Sequence, residues 1–236
     1  MDKVLLTIDW DYFINVHSQH YMSYRENQVN LLEEWYRRHL ICLQRNEHLE
    51  NFYNLAPFYK TFWKQAKKAL KLKKTIPVIV TEGHEEAYKI AKEWDCTEVY
   101  SLDAHSDLGY GGLVALEFEI NCANWLGKLL KEKYINKANI IYSPYTKEDA
   151  EDFKEIMDAY EVRFLSLEEL FTREIDVAAI HICRSGPWTP PWYDEALDEF
   201  IKQISESPVL QIEVKRSWKP KALNLADQIN CFMGIL

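Results

Sequence analysis

The chain has 236 residues, 47% of them hydrophobic, and a formal net charge of −9 at pH 7. That length and apolar content exclude a disordered tail or a coiled-coil rod and are most simply met by one α/β domain over 1–236. The acidic balance argues against a general nucleic-acid binder and suits cationic substrates.

KVLLTI opens the chain as a strand that stops at Asp9, too soon for a signal peptide. Residues 26–73 read mainly as helix, since NLLEEWYRRHLICLQ and FYKTFWKQAKKALKL space apolar groups at three and four. TIPVIVTEGH is a β-branched run broken by Gly83, and EEAYKIAKEW continues it as helix. TEVYSLDAH is the next strand, followed by a glycine loop (Gly109, Gly111, Gly112) and the amphipathic NWLGKLLKEKY. ANIIYS, VRFLS, AAIHICRS and PVLQIEV are further strands, with KEDAEDFKEIMDAY and WYDEALDEFIKQI as helices among them. Alternating strands and helices predict an α/β three-layer sandwich with a mostly parallel sheet. Five scattered cysteines without CxxC read as reduced thiols, and no segment supplies a membrane span. The expected setting is cytoplasmic, with no membrane and no nucleic-acid partner.

In open α/β sheets functional groups gather at the carboxyl ends of strands. Here those ends carry Asp9 and Asp11, Glu82 and His84, then Asp103, His105 and Asp107. If YSLDAHSDLGY stays extended, every second side chain points one way, and Asp103, His105 and Asp107 converge. Such a cluster is costly unless a cation sits among the groups. Four carboxylates and two imidazoles are too many for a closed structural zinc and better suit Mn²⁺, or two borderline metals side by side. Two ions about 3.5–4 Å apart would activate a shared water, which is hydrolase chemistry.

Each piece also has a plain structural reading. A lone DxHxD is often a turn or helix cap whose aspartates accept backbone N–H groups. His84 alone is more often packed or exposed, and His181 within AAIHICRS reads as a satisfied core histidine. His17, His20, His39 and His48 read as solvated, and EEWYRRHL and FYKTFWK as core stripes. There is no P-loop and no GxGxxG.

SLDAHSD resembles the DAHxD signature of the arginase–agmatinase ureohydrolases, and TIDWDYF resembles their second signature, S-x-D-x-D. TEGHEEA offers His84 where that family has a histidine after a glycine-containing turn, and NCANWLGKLLKEK is similar to the helix after the first signature. VLQIEVKRS is similar to the strand whose glutamate holds the guanidinium or amine, which would be Glu213. The order differs: ordinary members place the D-x-D strand late, whereas here it is first. The strand at the expected place, IHICRSGPWTP, lacks carboxylates, and Asn124 stands near the place of the family's histidine proton shuttle. An early D-x-D-Y-F with a later D-A-H-S-D resembles instead an atypical arginase-like branch. That branch includes the peptide arginases, which convert arginine in ribosomally made precursor peptides into ornithine.

The resemblance implies an arginase/deacetylase-like fold, two Mn²⁺ ions and an arginine-containing precursor peptide as partner. Asp103 and Asp9 would bridge the ions; His84 and Asp107 would complete one shell, His105 and Asp11 the other. Asp103, His105 and Glu213 would carry the catalysis, with Glu82 and Glu85 as weaker contacts for the arginine cation. The Gly109–Gly112 loop and the GPWTPPWY turn would form a rim admitting a peptide. The rival readings are a free-arginine or agmatine-type ureohydrolase, a deacetylase-like amide hydrolase and a non-catalytic metal-binding module.

Overall fold

The computed structural model describes residues 3–17, 31–70, 72–73, 75–212 and 215–233. Along the chain run β1 (Lys3–Asp9), β2 (Ile14–Val16), α1 (Leu31–Gln44), β3 (Tyr53–Leu55), α2 (Tyr59–Ala69) and β4 (Val78–Thr81). There follow α3 (Glu86–Glu93), β5 (Glu98–Asp103), α4 (Trp125–Lys131), β6 (Lys137–Tyr142), α5 (Lys154–Ala159) and β7 (Val162–Phe164). The last elements are α6 (Leu167–Phe171), β8 (Asp176–Cys183), α7 (Asp194–Lys202), β9 (Val209–Leu210) and α8 (Leu225–Met233). Seven strands form one parallel sheet in the order β7-β6-β5-β1-β8-β4-β9. The expected α/β sandwich is present, with helices on both faces.

Strand periodicity decides what each face carries. Val4, Leu6 and Ile8 of β1 point to a layer formed by α1, α2, α6 and α7, where Trp10, Phe13, Trp35, Phe62, Trp63 and Phe200 pack together. Leu5 points the other way, into a layer formed by α3, α4 and α5, with Ile79, Val99 and Ala179 of the neighbouring strands. Two residues further along, that second face changes character. Thr7 stands level with Ser101 of β5 and with His181 of β8, and all three are buried. Asp9 and Asp103 end their strands one step beyond. A parallel sheet buried on both faces normally reads as unbroken apolar sequence, so this polar layer under a carboxylate layer needs a purpose.

Three local departures matter. Tyr53–Leu55, inside the 26–73 region that reads mainly as helix, pairs with Ile14–Val16 as a separate antiparallel ribbon. Among its described residues PVLQIEV contributes Val209–Leu210, an exposed edge of the sheet. KEDAEDFKEIMDAY becomes helical only from Ala150, first as a 3-10 turn and then as α5. Lys147 and Glu148 therefore lie in a loop at the carboxyl end of the sheet. Among the described residues no helix is long and apolar enough to cross a membrane.

Candidate metal centre

β1 and β5 are neighbours and end side by side. Each terminal aspartate caps the turn that follows it: Asp9 Oδ1 accepts from Asp11 N at 2.9 Å, and Asp103 Oδ1 from His105 N at 2.9 Å. The turn-capping reading is thus correct for one oxygen of each carboxylate. The other oxygens, Asp9 Oδ2 and Asp103 Oδ2, face a common point with Nδ1 of His84, at 3.7 and 2.8 Å from it. His84 arrives from the turn after β4, across β8.

Asp107 reaches the same histidine, with Oδ2 at 2.8 Å from Nδ1. It does so by a route different from the expected extended run. β5 stops at Asp103, and Asp107 sits at φ 54°, the left-handed region that Asp tolerates better than most residues. The bend turns Asp107 back towards His84, while His105 points to Asp11, with Nδ1 3.1 Å from Oδ2. α4 holds the bend: its Leu126 and Gly127 N–H groups donate to the Asp107 carbonyl, and Trp125 Nε1 donates to Asp107 Oδ2 at 2.6 Å.

Two groups of ligand-type atoms result, Asp9–His84–Asp103 and Asp11–Asp103–His105, with Asp103 common to both. Asp9 belongs to the His84 group only, so of the two expected bridging carboxylates Asp103 alone is shared. The six residues expected from sequence are brought together, whereas Glu213 lies outside the described residues, as does His20. Glu82 does not face the cluster: its carboxylate is committed to Arg184 and to the Gly186 N–H. Asn124 is occupied with the Ala115 and Glu119 carbonyls and the Asn121 N–H. His39 is half-buried against Trp218 instead of solvated, and His17 and His48 are exposed.

The electrostatics are those of a site short of positive charge. Burial, then repulsion from Asp11 and Asp103, raises the Asp9 carboxyl well above the usual carboxylate range. Burial and Asp103 push Asp107 up to about 6, against the pull of His84. Burial alone would lower His84 and His105, but Asp103 and Asp107 around the first, and Asp11 and Asp103 around the second, raise both well above the ordinary histidine value. Asp11 runs the other way, since His105 and the Ala104 N–H outweigh its burial and lower it. His84 Nδ1 is the telling atom. It lies 2.8 Å from two carboxylate oxygens but is aligned with neither as a hydrogen bond. Ligand-type atoms that converge on one point in this way could hold a shared cation. The donor set fits divalent ions, two of which would neutralise four carboxylates.

The cluster floors a cavity of about 570 Å³. Its walls include Tyr110 of the glycine loop and Trp188 of the GPWTPPWY turn, and also Ile14, Val16, Tyr145, Lys147 and Glu148, which were not singled out from sequence. The Trp188 ring lies 5.1 Å from that of His105. Glu148 accepts from the Ser106 N–H at 2.8 Å, from the Tyr142 hydroxyl at 3.1 Å and from the Tyr110 hydroxyl. Burial raises its pKa. Read as the first turn of a helix, Glu148 gave no signal of this role.

Beneath the ligands, His181 is the satisfied core histidine expected from sequence, fully buried between the hydroxyls of Thr7 and Thr81. Burial, then the neighbouring His84, lowers its pKa well below the usual value. No family model, curated protein or solved structure matches the chain.

Proposed function

We propose that the chain is a two-metal hydrolase that cleaves the guanidino group of an arginine side chain in a peptide, leaving ornithine and releasing urea. The observation that carries this reading is the carboxylate of Asp103, common to both ligand groups on the cavity floor. The oxygen-rich ligand set favours Mn²⁺, in keeping with the ureohydrolase branch that SLDAHSD and TIDWDYF resemble. A pair of such ions supplies Lewis-acid polarisation and a water activated near neutral pH.

The chain's own residues do the positioning. Asp9, His84, Asp103 and Asp107 would hold one ion; Asp11, Asp103 and His105 would hold the other. The Trp188 face beside His105 gives a planar guanidinium a surface to stack on. Glu148 is the one wall carboxylate outside the ligand set among the described residues. Its raised pKa suits it to carry a proton to the departing amine, in place of the histidine shuttle that Asn124 does not supply. The apolar wall residues Ile14, Val16 and Tyr110 accommodate more than an isolated side chain, which favours a peptide over the free amino acid.

Mass spectrometry of an arginine-containing peptide incubated with manganese-loaded protein, beside free arginine, tests this. The expected result is loss of CH₂N₂ per modified arginine in the peptide alone. Conversion of free arginine would place the activity in ordinary ureohydrolase chemistry. Bound manganese with neither substrate changed would overturn the assignment.

A further inference from the structure

His84 has two ring nitrogens, and the ligand role proposed above uses only Nδ1. Its Nε2 faces away from the cavity and lies 2.8 Å from the hydroxyl of Thr7. That hydroxyl is 2.8 Å from Nδ1 of His181, and Nε2 of His181 is 2.7 Å from the hydroxyl of Thr81. The Thr81 hydroxyl in turn reaches the Gly83 carbonyl at 2.9 Å. Thr7 and His181 are 0% exposed and Thr81 is 1% exposed, so water does not compete for these groups. The chain crosses three adjacent strands, β1, β8 and β4, beneath the carboxylates.

Its direction follows from its last member. A carbonyl oxygen only accepts, so the single proton of the Thr81 hydroxyl goes to Gly83. Thr81 Oγ1 must then accept from His181, which places that proton on Nε2 and leaves His181 Nδ1 as an acceptor. Thr7 donates to Nδ1, having one proton to give, and therefore accepts from His84 Nε2. Each hydrogen bond is made only if all four run the same way.

We infer that Thr7, His181 and Thr81 are positioning residues, a one-way hydrogen-bond chain anchored on the Gly83 carbonyl that keeps the His84 proton on Nε2 and its Nδ1 lone pair turned to a cation. The inference rests on His84 being a metal ligand. It adds that a hydroxyl touching no ligand, that of Thr81, sets the strength of one metal site. Reversing the chain would place a proton on His84 Nδ1 and close that site. Metal-bound histidines are commonly oriented through their other nitrogen, by a single carboxylate, carbonyl or water. Here the orientation would come through a second, uncharged histidine.

The test compares wild type with Thr81→Val and Thr81→Ser. The first keeps the shape and removes the hydroxyl; the second restores it. Manganese titration by calorimetry should show two sites in wild type. In Thr81→Val one site should weaken by about 10–100-fold, the usual effect of losing such an outer partner, while the other stays unchanged. Thr81→Ser should recover wild-type affinity. In the zinc-substituted wild-type protein, nitrogen NMR should find the His181 proton on Nε2. That assignment reports the chain's direction whether or not a variant is marginal in folding. A His181 proton on Nδ1, or full affinity at both sites in a folded Thr81→Val protein, would overturn the inference and leave the metal centre standing. Wild-type protein that takes up no manganese would overturn the metal centre and the inference with it.

Discussion

Gly127 joins packing to chemistry. It lies in α4, where its N–H donates to the Asp107 carbonyl, so helix and ligand loop are in direct contact. A methyl group there would overlap the Leu108 carbonyl oxygen and stand 2.6 Å from Leu116 Cδ2 and 3.0 Å from Leu108 C. The first and last of these are backbone atoms that cannot swing aside. Overpacking of this kind costs about 1–3 kcal/mol, against about 1 kcal/mol that alanine gains over glycine within a helix. Because the clash is with backbone, the upper part of that range applies, and Gly127→Ala should lose about 1–2 kcal/mol. For a chain of this size that is roughly 2–8 °C in melting temperature.

The strain falls on Asp107 and Leu108, and so on one ion alone. Manganese held with His84 should weaken by about 10–100-fold, while the ion held by Asp11 and His105 keeps its affinity. Thermal unfolding of metal-free protein and a manganese titration would read the two effects separately. Unchanged melting and two unchanged sites would refute the argument that α4 sets the position of Asp107.

Asp103→Ala should abolish both ions and turnover, because its carboxylate serves both groups; retention of two bound metals in atomic-emission analysis would contradict that sharing. Asp11→Ala should weaken only the ion near His105, so that excess manganese restores activity; full activity at low manganese would remove Asp11 from the ligand set. Trp125→Phe takes away the indole donor to Asp107 Oδ2 and should weaken the His84-side ion while preserving the aromatic packing. Metal-free protein should become less stable as pH rises above about 7. Asp107, held up at about 6, and Asp9, His84 and His105, also raised, bind protons more tightly folded than unfolded, so their contribution is lost as pH climbs through the folded values. Asp11 and His181, both lowered, act oppositely, Asp11 below about pH 4 and His181 below about pH 7, so the net fall is carried above that by His84 and His105. The gain in melting temperature on adding manganese should therefore grow over the same interval, and a metal-free stability that rises instead would contradict the charge balance.

The six clustered residues were readable because strand ends collect function in open α/β sheets and because D-x-D and D-A-H-S-D are dense in ligands. The path by which they meet was not. An extended continuation past Asp103 looked sufficient, whereas the bend at Asp107 is held by Trp125, eighteen residues away and mute in sequence. The polar layer of Thr7, Ser101 and His181 was half legible: His181 reads as a core histidine, but its partners depend on β8 lying between β1 and β4, and no local pattern reports strand order. Glu148 was hidden because KEDAEDFKEIMDAY has helical spacing that its first residues do not obey. The ribbon of β2 and β3 was missed because three-residue strands leave too short an alternation to read.

Diffraction from manganese-loaded crystals, with anomalous data collected at the manganese edge, tests the central claim most directly. Two peaks are expected, one among Asp9, His84, Asp103 and Asp107 and one among Asp11, Asp103 and His105, with Asp103 touching both. A single peak, or two that share no carboxylate, would contradict the two-metal centre on which the proposed hydrolysis depends.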